Sequence, residues 1–472
     1  MSNEPLAVTL GRFAIEHSYD RLPAEVRESV KSRVLDILGI CVAATKLDTS
    51  AAAIAFARSQ GARDQAHGVG AGEALPATMA AFVNGVLAHS LDYDDTHLPS
   101  VLHPSATVVP AALAAAEMTG AGGRETIAAI AVGLEVCVRA GMAGYDEEAR
   151  NSTFFDHGQH ATSICGALGG AVAAGMLMGF DAEGITNALG VVASMASGII
   201  EANRTGGTVK RMHCGWAANS ALSACELVSY GFTGPPTVLE GRFGFYEAWL
   251  HGEFEPRYLT EGLGEHWEVP RIFFKPYPAN HFTHTAIDAA AVIRARGVRP
   301  EQIASMRLGV AAPIVRTIGE PIEVKRRPTT PYMAQFSGPY AVVVGLLGGE
   351  GLGASFNDYR EELILSPERT ALMDLVEVVA DERCSAIFPN QFPSVLTVTL
   401  RDGTVLEEAV LANRGGPERP LAYSEIASKF RDNVAGVLDD ETSAQVEARI
   451  AALDELDSLE PIFGSLSILG GK

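Results

Sequence analysis

A short stretch of the chain concentrates acids and imidazoles. Positions 89–97 read HSLDYDDTH, and His103-Pro104-Ser105 follows closely. An acid in contact with an imidazole sets its tautomer and pKa, which prepares histidine for general acid–base catalysis. Taken singly, Asp, Thr and Ser at a junction between two helices are equally typical of helix capping. Three acids beside three imidazoles favour a catalytic role for this segment.

A second histidine segment, FDHGQHAT at 155–162, precedes a run rich in Gly and Ala. Small side chains leave room for a ligand at the start of the helix that this run predicts, and helix N-termini attract carboxylates. The alternative is a polar loop whose histidine caps the helix.

A third segment, TVKRMHCG at 208–215, places two adjacent cations before a histidine and an Ala-rich helix. Lys210 and Arg211 suit a carboxylate anchor, since arginine grips a carboxylate in bidentate fashion. The alternative is a solvated surface pair.

A fourth segment, KPYPANHFTH at 275–284, begins a region of different texture. Its two prolines hold the backbone extended. We therefore expect Asn280 and His281 to project from it as polar groups.

Metal and nucleotide sites are not expected. The chain has no HExxH motif, and its six cysteines are scattered without a CxxC pair, as in reduced core residues of a cytoplasmic protein. Ungrouped cysteines also argue against an iron–sulfur cluster. The glycine run at 68–72 lacks the strand–helix context of a dinucleotide site. We expect no cofactor.

The overall charge limits the classes of partner that this protein is expected to bind. The net charge is −21 and no run of Lys and Arg occurs, which argues against nucleic acid and anionic membranes. The first residues, MSNE, carry no basic or apolar leader pattern, so we expect no export. The uncharged stretch 164–180 predicts a buried helix rather than a membrane span. A small anionic substrate stays compatible with a few buried cations.

The elements that must position these residues are mostly helical. Val26, Val30, Val34 and Ile37 recur at helical spacing. Further helices are expected over 77–90, 106–119, 126–141, 161–178, 182–197 and 217–230. After about residue 270 the pattern alternates, and Arg401-Asp402-Gly403-Thr404 between apolar runs predicts a hairpin.

The expected architecture is mainly α with an inserted α+β domain. A chain of 472 residues is too long for one core. We expect a helical domain over 1–267, a smaller α+β domain acting as a lid over 268–403, and a return to the helical domain over 404–472. The active site would lie in the cleft between them.

Taken in order, the motifs resemble the MmgE/PrpD family, which includes 2-methylcitrate dehydratase, cis-aconitate decarboxylase and iminodisuccinate epimerase. The motifs that carry the resemblance are LDYDDT at 91–96, LHPSA at 102–106, GQHATSICGALG at 158–169, KRMHCGWAA at 210–218, FTGPPTVLEGRFGF at 232–245, KPYPANHFTH at 275–284 and AQFSGPYAV at 334–342. The resemblance implies a large helical domain, an inserted α+β lid, a homodimer, and neither metal nor organic cofactor.

The resemblance also implies active-site positions. The decarboxylase's groups would fall on Asp92, Thr96, His103, His160, Lys210 and Tyr340. Its lid histidine would fall on Asn280, with His281 one step away, and the spacer between Thr96 and His103 is one residue longer here. Both departures count against cis-aconitate decarboxylase itself.

The chemistry expected is proton abstraction next to a carboxylate of a small di- or tricarboxylate. His103 or His160 would be the base, Asp92 would orient an imidazole, and Tyr340 would donate a proton. Substrate contacts are expected from Lys210, Arg211, Lys275, Asn280 and His281. A dehydratase like 2-methylcitrate dehydratase is the first expectation, and an epimerase or a decarboxylase is the alternative. A carboxylate-binding homologue without turnover is a further alternative.

Overall fold

The computed structural model describes residues 4–202 and 207–466. Residues 1–3, part of the stretch behind the export expectation, lie outside these ranges. The chain forms two compact units, which we call the helical unit (Met1–Ile272 with Asn433–Lys472) and the mixed unit (Phe273–Asp432).

The helical unit is built from helices and two short hairpins. The helices are α1 (Leu6–Glu16), α2 (Ala24–Ala44), α3 (Asp48–Ser59), α4 (Ala77–His89), α5 (Ser105–Thr119), α6 (Gly123–Ala143), α7 (Thr153–Asp156), α8 (Ala161–Leu177), α9 (Ala182–Val192), α10 (Val209–Ser229), α11 (Phe245–Leu250) and α12 (Arg257–Thr260), with α22 (Asp440–Ala451) and α23 (Glu460–Leu466) near the end of the chain. The hairpins are β1 (Ala66–His67) with β2 (Ala74–Leu75), and β3 (Tyr145–Asp146) with β4 (Asn151–Ser152).

The core of the helical unit consists of α4, α5, α6, α8 and α10. Their Gly and Ala content lets whole helices be enclosed, and α8 is buried over nearly its full length. This confirms the buried helix expected in the uncharged stretch. By length and composition α6 could cross a membrane, yet 94% of its apolar window is buried inside the protein, as in a core helix.

The mixed unit contains one four-stranded sheet of order β6-β5-β7-β8. The strands are β5 (Ile303–Val310), β6 (Val376–Ala380), β7 (Ser394–Leu400) and β8 (Val405–Val410). The helices are α13 (His284–Ala295), α14 (Ala312–Ile318), α15 (Ile322–Lys325), α16 (Pro331–Gln335), α17 (Gly338–Leu347), α18 (Glu361–Ile364), α19 (Pro367–Asp374), α20 (Glu382–Ile387) and α21 (Tyr423–Val434). Strand β5 runs parallel to β6 and antiparallel to β7.

The mainly helical fold with a smaller α+β part is confirmed, and so is the hairpin, since β7 and β8 pair in antiparallel register around Arg401–Thr404. The unit boundaries fall at 272/273 and 432/433, where 267/268 and 403/404 were expected. Strand β8 explains the second difference, because it pairs with β7 and thus belongs to the sheet.

Two helix ends also differ from expectation. Helix α9 ends at Val192, whereas the apolar pattern predicted a helix to 197. Helix α10 begins at Val209, eight residues before the expected 217. Lys210 and Arg211 therefore lie in the first turn of this helix instead of before it.

Candidate active site

Four imidazoles of the helical unit lie together, and we call them the imidazole cluster. His89 ends α4, His103 stands just before α5, His160 precedes α8, and His213 lies in the second turn of α10. The His89 ring centroid is 5.5 Å from that of His103 and 5.5 Å from that of His160. The His160 and His213 centroids are 5.0 Å apart.

Glycines bring the supporting helices into close contact. A Cβ built on Gly85 of α4 would lie 2.7 Å from the Cα of Gly215 in α10. A Cβ on Gly215 would lie 2.4 Å from the main-chain oxygen of Phe82. The two backbones therefore touch, and this contact places the end of α4 with His89 beside the start of α10 with His213.

The tautomer of His103 is set by a main-chain acceptor. Its Nδ1 lies 2.6 Å from the carbonyl oxygen of Asp95, so Nδ1–H donates there. The Thr96 hydroxyl is a more distant neighbour of the same nitrogen, at 3.4 Å. The main-chain N–H of His103 donates to Thr162 Oγ1 at 3.2 Å. In the neutral ring the basic lone pair is consequently on Nε2, as a general base requires.

Asp95 is itself fixed by a buried ion pair. Its Oδ2 lies 2.7 Å from Arg33 Nη1, both side chains are 1% exposed, and Ser105 N–H donates to its Oδ1 at 3.2 Å. Arg33 also donates to the carbonyls of Val269 and Ile272 at 3.2 and 2.7 Å. Burial raises the pKa of Asp95, and Arg33 only partly offsets this. This ion pair fixes Asp95, whose main-chain carbonyl accepts the hydrogen bond from His103 Nδ1–H.

His160 and His213 share one hydrogen bond. Their Nδ1 atoms are 3.0 Å apart, so one ring donates and the other accepts, and both cannot be protonated in this geometry. Burial, followed by the charge of His89, lowers the pKa of His160 well below its ordinary value. The same causes lower the pKa of His213 to about 4. Both shifts favour the neutral form of the ring.

The pKa of His89 is shifted in the opposite direction. Its Nδ1 lies 2.7 Å from Asp94 Oδ2, and both side chains are almost fully buried. Burial alone would lower the pKa of His89, but the Cys214 sulfur and the Asp94 carboxylate outweigh it and raise the pKa to about 10. The pKa of His89 is therefore shifted in the direction opposite to those of His160 and His213.

The other predicted residues of the helical unit are close to this cluster in sequence, or act on it through their charge. Asp92 is half-buried with a left-handed backbone, φ 53°, and Thr96 is buried. Lys210 is half-buried, and its charge contributes to the lowered pKa of His160 and of His213. Arg211 donates to Thr49 Oγ1 at 3.0 Å. The short carboxylate–imidazole contact of this segment belongs to Asp94; the orienting role of Asp92 stays a prediction.

Tyr340 belongs to the mixed unit and is fully buried in α17. Its hydroxyl donates to the Asp358 carbonyl and accepts from Arg369 Nη1 at 3.1 Å. Burial, partly offset by Arg369, raises the pKa of Tyr340 to about 12. Its hydroxyl proton is thus engaged within its own unit, and its role as a proton donor stays a prediction.

The remaining predicted residues also lie in the mixed unit. Asn280 Oδ1 accepts from Phe282 N–H at 3.1 Å and caps the short 3₁₀ turn 281–283. His281 is 5% exposed, with its ring 5.6 Å from Phe273. Lys275 is 1% exposed. Asn280 therefore caps a turn. The functional roles of Lys275, Asn280, His281 and Tyr340 stay predictions.

Sequence reasoning assigned no role to four members of this arrangement: His89, Asp94, His213 and Arg33. His89, Asp94 and His213 stand inside the motifs that were singled out, so the signal was present but distributed over too many candidates. Arg33 stands in an apolar stretch of α2, where a charged residue signals a buried partner.

Over residues 4–202 and 207–466, no three His, Cys, Asp or Glu side chains are grouped to hold a metal ion.

Comparison with known proteins identifies the family. The MmgE/PrpD N-terminal domain model matches residues 8–257, and the MmgE/PrpD C-terminal domain model matches residues 277–455. Cis-aconitate decarboxylase of Mus musculus is 30% identical over 401 residues, covering 82% of this chain and 77% of that protein. Cis-aconitate decarboxylase of Aspergillus terreus is 26% identical, covering 99% and 97%.

A second activity is represented among the relatives. The 2-methylcitrate dehydratase of Cupriavidus necator is 27% identical over 244 residues, covering 48% of each chain. Both named activities are those of lyases, and the family models together span most of the sequence. The chain belongs to the MmgE/PrpD family and is an enzyme of the lyase type.

Proposed function

We propose that this enzyme is a metal-independent lyase that transfers a proton at the carbon next to a carboxylate of a small di- or tricarboxylate. The observation that carries the proposal is the fixed tautomer of His103. Its Nδ1–H is committed to the Asp95 carbonyl, so Nε2 is the atom that can accept a proton. A hydrogen beside a carboxylate is weakly acidic and needs such a placed base.

The charge around the cluster suits the intermediate. When the C–H bond breaks, its electron pair moves into the neighbouring carboxylate as an enediolate and the proton moves to His103 Nε2. Lys210 is a positive group near the cluster that favours this negative charge. His160, neutral and hydrogen bonded to His213, is the second candidate for holding a proton.

The overall reaction at this site has two leading candidates. Decarboxylation is supported by relatives that match 82–99% of the chain, whereas the dehydratase matches about half. The departure at Asn280 and the longer spacer before His103 count against cis-aconitate decarboxylase itself, which keeps dehydration, the first expectation from the sequence, as a candidate. In dehydration the electron pair left by the removed proton expels hydroxide. In decarboxylation the carboxylate leaves as carbon dioxide without a C–H bond breaking first, its bonding pair stays on the carbon, and a protonated residue of the site delivers a proton there. Return of the proton to the opposite face would be epimerisation.

The test uses His103→Gln and His160→Gln with a panel of di- and tricarboxylates in deuterated buffer. NMR follows both solvent deuterium entering the acid and the product formed. We expect at least one variant to lose about 10²–10⁴-fold in exchange rate, while His67→Gln, which changes a histidine outside the cluster, retains wild-type activity. Wild-type exchange in both site variants would refute the assignment. Loss of wild-type activity on adding chelator would refute metal independence.

A further inference from the structure

The mixed unit contains a cavity that the proposed chemistry does not use. Its volume is about 670 Å³, a size typical of sites for small ligands. Helix α13, the end of β8 with the segment after it, and the glycine-rich loop GEGLG at 349–353 form its walls. The lining residues all belong to the mixed unit, so this unit alone forms the cavity.

Arginine dominates the charge of this cavity. Its charged lining residues are three arginines and two acids, Arg294, Arg414, Arg419, Asp288 and Glu408. The lining therefore carries a net charge of +1, in a chain whose net charge is −21. Arginine presents its donors in a planar fork that matches carboxylate and phosphate groups. The cavity thus favours an anionic ligand over a cation.

The two acids of the cavity are already held by arginines. Asp288 Oδ2 lies 2.9 Å from Arg419 Nη1, and Glu408 forms an ion pair with Arg296. Arg419 uses only Nη1, for Asp288 and for the Ala412 carbonyl, whereas a guanidinium has five N–H donors. Within the described parts of the chain its Nε and Nη2 have no acceptor, and the side chain is 40% exposed. Arg419 can therefore bind a ligand while it keeps Asp288.

Arg294 is the least committed of the three cations. It is exposed on α13, and among residues 4–202 and 207–466 no acceptor or carboxylate pairs with its guanidinium. A Cβ built on Gly348 would clash with that guanidinium, so the group lies against the start of the glycine-rich loop. Arg414 reaches the same loop, because its Nη1 donates to the Leu352 carbonyl at 2.8 Å while its Nη2 pairs with Glu425.

We propose that this cavity binds a small polyanion, a molecule with at least two carboxylate or phosphate groups. Arg294 and Arg419 supply free donors for two such groups, and Arg414 adds positive charge beside the loop. Ile287 and Leu352 contribute apolar surface, which suits the part of the ligand between its acidic groups. The proposal does not depend on the reaction that the imidazole cluster carries out.

The experiment is calorimetric titration of the full chain at low ionic strength with citrate and with pyrophosphate. Acetate and inorganic phosphate carry a single acidic group and serve as the comparison. We expect both polyanions to bind with Kd values below about 1 mM, and the single-group anions to bind at least about tenfold more weakly. Tighter binding of citrate would assign the site to polycarboxylates, and tighter binding of pyrophosphate to phosphate compounds.

Two variants test the residues. Arg294→Gln removes the uncommitted cation, and Arg419→Lys keeps a charge beside Asp288 while losing the planar fork. Each should weaken polyanion binding by about tenfold or more, as expected for a lost hydrogen bond to a charged group. Arg316→Gln is the matched control, because Arg316 is an exposed arginine of α14 that does not line the cavity. It should leave the affinity unchanged.

A third variant separates this cavity from the proposed catalytic site. The titrations are repeated in Lys210→Gln, in which a polyanion bound near the imidazole cluster would lose its cation. Binding that survives in Lys210→Gln supports the proposal, as does slower hydrogen exchange in peptides from α13 and the loop 349–353 when citrate is bound. The proposal is overturned by wild-type affinity in both Arg294→Gln and Arg419→Lys, by binding that only Lys210→Gln removes, or by the absence of polyanion binding.

Discussion

Replacing Arg33 with methionine removes the cation that holds Asp95 while keeping a long apolar side chain in its place. The change leaves a buried carboxylate that still accepts from the Ser105 N–H but has lost its cation. It also takes away the donor to the Val269 and Ile272 carbonyls. Breaking one side of a buried ion pair typically costs about 3–5 kcal/mol.

The loss of unfolding free energy caused by the unpaired Asp95 has an upper limit, and this limit depends on pH. Asp95 can escape its unpaired charge by binding a proton, which costs about 1.4 kcal/mol for each pH unit above its unfolded pKa. From an unfolded value of 3.8, the ceiling is about 6 kcal/mol at pH 8 and about 2 kcal/mol at pH 5.5. Because loss of Arg33 raises the folded pKa of Asp95 further, the stability that the variant loses appears as the pH rises. The destabilisation should therefore be largest at pH 8.

The assay is urea unfolding followed by circular dichroism at both pH values, with the exchange assay run alongside. Arg12→Met is the control, since Arg12 forms a 2.7 Å ion pair with Glu4 that is largely exposed, and its unfolding midpoint should not move. The exchange rate should also fall in Arg33→Met, because the Asp95 carbonyl that fixes His103 is released. A loss below about 1 kcal/mol at pH 8, or equal losses at both pH values, would refute the reasoning.

Three further predictions concern the framework of the site. Gly215→Ala should cost about 1–3 kcal/mol and reduce turnover, because its Cβ would meet the Phe82 carbonyl at 2.4 Å; an unchanged melting temperature would contradict the close packing of the helices. Thr162→Val should cost about 1–3 kcal/mol and lower kcat, since the His103 N–H loses its acceptor; wild-type kcat would contradict this. Burial raises the pKa of Glu135 to about 7, above its unfolded value of 4.5, although the charge of Arg139 opposes this shift. The stability that Glu135 contributes is therefore lost as the pH rises through 7. Glu135→Gln should flatten the decline of unfolding free energy between pH 4.5 and 7, measured by urea titration, and an unchanged slope would count against that pKa.

The helices of the site were largely predictable from sequence, and the reason is periodicity. Apolar and small residues mark α4, α5 and α8 within one or two residues of their observed ends. Helix α10 was placed too late because its first two turns carry exposed Val209, Met212 and Trp216 with Lys210 and Arg211, a pattern without a clear apolar face. Helix formation there is decided by packing farther along the helix.

The contacts within the site were not predictable. His160 and His213 are 53 positions apart, and their hydrogen bond depends on how α8 and α10 pack. The choice of Asp94 over its neighbours Asp92 and Asp95 as the partner of His89 depends on backbone direction, since Asp92 adopts a left-handed φ. Residue types could name the candidates, but only tertiary structure assigns their partners.

The contact between Gly85 and Gly215 has a consequence for attempts to redesign this enzyme. Because main chain meets main chain there, substitutions in the surrounding apolar core have little leverage on the spacing between His89 and His213. A change of substrate is more accessible at Arg211, which is half-buried and meets no helix backbone of this contact. Mutant libraries should therefore diversify position 211 and leave Lys210 and both glycines fixed.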